Sequence, residues 1–193
     1  MENSEKFNEK DSLKVIYEMI EAARCDVRDN YFYYLLWGIL VMLASLLEFV
    51  LLQVFQLPYH YIGWPVLMGI GVFITILHSV RKYGKSNSSS YVGNFFLYFF
   101  IGWTLSLILL LAFVIHSHYA LIQPVSLSMY ALAIFVSGSI LRFKPLIWGG
   151  FIAWAAAIAS FFSPFPVQLL ITAATVIIAY IIPGWLLKRK NGK

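Results

Sequence analysis

Charge is what this chain lacks once it is past its first thirty residues. Between Tyr31 and Leu187 stand five basic residues (Arg81, Lys82, Lys85, Arg142, Lys144) and a single acid, Glu48. Cysteine is almost as scarce: Cys25 is alone, which excludes an internal disulfide and any multi-cysteine metal site. Aspartate stops at Asp29, so no aspartyl-protease pair can form in the apolar part. No GxSxG, P-loop or HExxH is present, and nothing brackets a serine and a histidine as a dyad. The sequence therefore reads as non-enzymatic and implies no cofactor. Residues 1–30 hold eight acids and no apolar core segment, so they do not read as a signal peptide.

What the chain has is apolar length. Of its 193 residues 61% are hydrophobic and only 12% charged, too few to cover the surface of a globule in water. Six apolar runs stand at about 31–56, 62–80, 91–115, 122–141, 146–162 and 166–187. Each is near or above the ~17–25 residues that cross hydrocarbon. In lipid every backbone polar group must be bonded within its own segment, so such runs become helices. The expected fold is an all-α polytopic membrane protein with six transmembrane helices. Its expected parts are a disordered stretch 1–10, an amphipathic helix 11–30, a membrane domain 31–187 and a basic tail 188–193.

Turn chemistry separates the runs: Pro58, the Gly84–Ser90 stretch, Arg142–Pro145, and Ser163-Pro164-Phe165-Pro166. Lysine and arginine occur in the connections after runs two and four and in the tail, and never in the alternate connections. The positive-inside rule then places both termini in the cytoplasm of a cell whose plasma membrane the chain crosses repeatedly. The net charge of +5 sits at helix ends, where it orients a membrane protein; nucleic acid is not an expected partner. Each pair of runs opens on an aromatic-glycine cluster (Trp37-Gly38, Gly102-Trp103, Trp148-Gly149-Gly150) and closes on aromatic and basic residues, so three similar hairpins are expected.

Residues 11–29 carry one apolar stripe at helical spacing: Leu13, Ile16, Ile20, Ala23 and Val27. The polar face mixes signs, which argues against capture of anionic lipid by this helix. It reads instead as a docking stripe for the bundle, a protein partner or a second copy.

The opening Leu35-Leu36-Trp37-Gly38 behind an amphipathic helix, and the closing Ile182-Pro183-Gly184-Trp185-Leu186-Leu187 before a basic tail, resemble a group of uncharacterised six-helix bacterial inner-membrane proteins. The resemblance implies that fold and that membrane. It carries no activity and no site residue.

Glu48 is the leading candidate for function. Counted from Leu35 at ~1.5 Å per residue, it lies about 20 Å into a core about 30 Å thick. A carboxylate there is costly unless it faces the bundle interior or water, so intramembrane acids mark ion and proton paths. Within its own helix only Ser45 is placed to hydrogen-bond to it. His60, His116 and His118 map to the same outer side and, with Glu48, make a candidate pH-responsive or divalent-metal cluster, although the spacing matches no metal motif. His78 reads as interfacial. Stripes at Gly71/Thr75/His78, Asn94/Tyr98/Gly102 and Ser126/Tyr130/Ala133/Ser137 could line a path or serve helix packing; Gly149, Ala153 and Ala157 read as packing. Two functions stand: a membrane-embedded interaction or regulatory protein, and a transporter or channel for a small solute or ion that uses Glu48.

Overall fold

The computed structural model describes residues 31–83, 91–117 and 119–191, apart from the side chains at 79, 82–83, 91–97, 100, 113–117 and 190–191. The stretch 1–10, the helix expected over 11–30 with its Leu13, Ile16, Ile20, Ala23 and Val27 stripe, and His118 lie outside the described residues. Those residues form α1 (Tyr31–Gln53), a 3-10 turn His60–Ile62, α2 (Gly63–Tyr83), α3 (Tyr91–Ser117), a second 3-10 turn Tyr119–Leu121, α4 (Ile122–Ile140), α5 (Lys144–Phe161), α6 (Phe165–Val176), a π-helical turn Ile177–Ile181 and α7 (Ile182–Asn191). The turn joins α6 and α7 into one rod, which makes six helices among the described residues, with no strand. Five of them are long and apolar enough to cross a membrane. In α3 the described apolar stretch is Ile101–Ala112.

Prolines begin the helices. Pro65, Pro124, Pro145 and Pro166 all stand in first turns, where a missing N–H costs no helical bond. Pro183 differs, because helix precedes it. It has no N–H for the Ala179 carbonyl, and the chain answers by widening: the Ile182 N–H bonds to Ile177 O, five residues back. Ala179 O is then turned toward α5, where a Cβ on Gly149 would come within 2.6 Å of it. Only glycine permits that approach.

The end of α4 is fixed as firmly. The Phe143 N–H reaches Gly138 O at 2.9 Å and the Arg142 N–H reaches Ser139 O at 3.2 Å. This is the paired closure that needs a left-handed residue after the helix, and Arg142 supplies it at φ 49°.

Packing divides the helices into an inner and an outer set. α1 lies against α6 and the π turn, α5 against α4 and α6, and α4 also touches α6. α2 packs on α1, and α3 on α4. The most extensive pairing is α4 with α5, which joins the expected second and third hairpins instead of lying within one. Glycine is the cause: Cβ atoms at Gly138 and Gly150 would meet Ile147 N and Phe135 Cβ, each at 2.7 Å. The two helices interlock where neither carries a side chain. A buried apolar core of Ala131, Ile134, Leu146, Ala153, Ala179 and Leu187 fills the middle and one end of the inner set. That end is the basic one, since Arg142, Lys144 and Lys188 adjoin Leu141, Phe143 and Leu187 of this cluster and its rim.

Candidate functional site

The opposite end is polar inside. α1 turns Val41, Ala44, Ser45 and Glu48 to its buried side at helical spacing. Beyond Gln53 the chain reverses at Gln56, whose φ is 50°, and runs back over the end of α1 through the His60–Ile62 turn. His60 is thereby set over Glu48, with its Nδ1 at 2.8 Å from Oε1. The first turn of α2 brings in Trp64, whose indole N–H donates to the other carboxylate oxygen at 2.6 Å. From the second 3-10 turn the Tyr119 hydroxyl donates to Oε1 at 3.4 Å, the longest of the three.

Glu48 is enclosed by this arrangement, its side chain 3% exposed beside a His60 that is 14% exposed. Rings form the wall. Tyr119 and Phe165 stand 4.8 Å apart between centroids, and His60 lies 6.2 Å from each. The turn and first helical residues that follow α1, and a second turn far along the chain, thus meet on one carboxylate. Chemically the group is a carboxyl whose two oxygens are both engaged by neighbouring side chains in a place with little water. It is covered too well to attack a substrate. The Glu48–His60 hydrogen bond is a place where one proton can be held between two titratable groups.

Further buried polar side chains lie at the same end and on the helix faces behind Glu48. Ser45 Oγ donates to Leu169 O at 2.7 Å, Thr172 Oγ1 to Gln123 Oε1 at 3.1 Å, and Gln168 Nε2 to Ser163 O at 2.9 Å. Gln168 Oε1 is buried with no hydrogen-bond partner among the described residues. Ser45 therefore does not serve Glu48 as the sequence suggested. Its hydroxyl finds a carbonyl on α6 because α6 packs directly on that face of α1.

Of the expected outer cluster, Glu48 and His60 are brought together. The His116 side chain and all of His118 lie outside the described residues. No group of three or more His, Cys, Asp or Glu is gathered among the described ones, so the pair alone offers two ligands and no metal site. His78 is more than interfacial: it stacks on Phe32 at 4.3 Å and shares a 3.1 Å hydrogen bond with the Tyr33 hydroxyl, tying α2 to α1. The polar stripes do not converge. Gly71 lies under Leu40 and Trp37 of α1, and Ala133 and Ser137 face inward, whereas Tyr98 is exposed and Gly102 has open space around it. Gly149, Ala153 and Ala157 are buried, as expected of packing residues.

Sequence reading missed Trp64, Tyr119, Phe165 and the glutamines. For Trp64 a signal existed. A six-residue reversal between Gln53 and His60 obliges the start of α2 to lie beside the end of α1, and Trp64 is on that first turn. Tyr119 gave none, since its meeting with Glu48 depends on how α4 and α6 are placed.

Comparison with known proteins adds no relative: no protein family matches the chain, and neither a curated protein nor a solved structure matches it.

Proposed function

We propose that the chain is a six-helix, multi-pass protein of a bacterial inner membrane, with both termini cytoplasmic, that acts as a non-enzymatic interaction or regulatory protein. The orientation rests on the confinement of loop lysine and arginine to one end. The functional reading rests on one observation above all. Glu48 is enclosed by His60, Trp64 and Tyr119, and the buried hydroxyls further along the bundle, Ser45, Thr172 and Thr175, are each bonded to a helix carbonyl. A buried acid–imidazole pair bordered by a partly exposed Tyr119 fits a sensor of conditions on the outer side. The titratable groups that face Glu48 are His60 and Tyr119, with Tyr61 beside His60; its only ion-pair partner among the described residues is His60. The cytoplasmic contact is assigned to the stripe Leu13, Ile16, Ile20, Ala23 and Val27, as a docking face for a partner or a second copy.

Trp64 provides the readout, because its indole donates to the carboxylate. In reconstituted vesicles the fluorescence lost on Trp64→Phe should respond to a change in outer pH. Glu48→Gln should abolish the response, and an internal pH dye should report no flux above empty vesicles. A transporter using Glu48 is the second reading, favoured by the buried Ser45, Gln123, Gln168 and Thr172 and by the unpaired Gln168 oxygen. Flux that disappears in Glu48→Gln would establish it instead. A Trp64 signal indifferent to pH, without flux, would sink both and leave Glu48 as a structural tie.

A further inference from the structure

Among the described residues, the basic end of the bundle is a surface of one sign. Arg142, Lys144, Lys188 and Arg189 are exposed there, and none has an acidic partner among the described residues. The only acid of residues 31–193, Glu48, is at the other end. These cations are not scattered. Arg142 lies between Leu141 and Phe143, Lys144 follows Phe143, and Lys188 follows Leu187, all of which pack around one apolar cluster. α5 and α7 touch, and the Lys188 ammonium sits 5.9 Å above the ring of Tyr31 on α1. The charges therefore share the end of the bundle at which α5 starts and α7 ends, around one apolar cluster.

Two further observations give the place a character. Trp148, one turn into α5, and Trp185, on α7 beneath the Arg189 guanidinium at 5.8 Å, are both largely exposed. Exposed indoles at the level of basic groups mark the boundary between hydrocarbon and headgroups. Arg142 also occupies a left-handed position that glycine would fill without strain.

We propose that this end holds the phosphate of an anionic lipid headgroup, between the start of α5 and the end of α7. The proposal rests on the membrane-spanning reading and goes beyond it. Arginine offers a planar fork to phosphate oxygens and lysine a point charge, while the indoles lie along the acyl chains. The docking stripe of residues 11–29 is not this site, because its polar face mixes signs.

Brominated lipids quench neighbouring indoles and so test the idea on the full chain. In vesicles the parent should be quenched by brominated phosphatidylglycerol at concentrations roughly tenfold or more below those needed of brominated phosphatidylcholine, since each of these cations contributes on the order of fivefold. Arg142→Gln/Lys144→Gln/Lys188→Gln should bring the two lipids level, and Lys188→Gln alone should remove part of the preference. Equal quenching of the parent by both lipids would overturn the proposal and leave the membrane reading intact. No quenching by either would overturn both. Displacement of the brominated anionic lipid by free glycerol phosphate would assign the site to a soluble anion. Cross-linking of Cys25 to a Lys144→Cys chain, with no lipid preference in the parent, would show that the chain's own acidic start covers this face. Either result would reject a lipid occupant.

Discussion

Three hydrogen-bond partners on one carboxyl group are not equivalent, and their distances rank them. His60 and Trp64 approach Glu48 at 2.8 and 2.6 Å, while Tyr119 stands off at 3.4 Å. His60→Phe and Trp64→Phe should each lower stability by about 1–3 kcal/mol in detergent thermal unfolding, as expected where a buried acceptor loses a good donor. Tyr119→Phe should cost less, under about 1 kcal/mol. Equal losses at all three would contradict the ranking. Glu48→Gln should fold, because the histidine ring can change tautomer and accept from the new amide while Trp64 still donates to its oxygen. Arg142→Gly should gain about 1 kcal/mol by removing the left-handed strain, in the same assay. Glu48 itself was legible as the only acid in the apolar part. Its bond to His60 was half legible, through a shared side of the membrane. The bonds of Ser45 and Tyr119 were not, since the spacing of residues along one helix says nothing of which neighbour will face it.

Among the elements, helix limits were legible to within about four residues, because long apolar runs bounded by proline and basic residues leave little choice. Pairing was not. Periodicity marks Gly149 as a packing residue without naming its partner, and the structure gives Gly149 to the π turn and Gly150 to α4. The three-hairpin expectation missed the α4–α5 interlock for this reason. Gly149→Ala should cost about 1–3 kcal/mol, as the added carbon would meet a backbone oxygen that cannot swing away. Gly102→Ala, with open space around it, should lie within about 0.5 kcal/mol of the parent. Denaturation of the two variants side by side checks the contrast.

For the whole molecule, the two ends differ in kind: one gathers cations around an apolar cluster, the other gathers neutral polar and aromatic groups around a single acid. If the basic end is cytoplasmic, a cysteine introduced by Ala120→Cys in a Cys25→Ser background should label from outside intact cells. Labelling only after lysis would invert the orientation and place the Glu48 pair inside.

The attachment of α2 has a mechanical consequence. Only 11% of its apolar window is buried, against 33% for α1 and 39% for the α6–α7 rod, so apolar contact alone grips it weakly. What fastens it is a bolt near each end, Trp64 to Glu48 and His78 to Tyr33. A rod held by two bolts yields in steps under load. Pulled from just beyond Tyr83, α2 should peel away before the inner helices part, first losing the His78 fastening and then the Trp64 one. Trp64→Phe should erase the second force peak and leave the first in place.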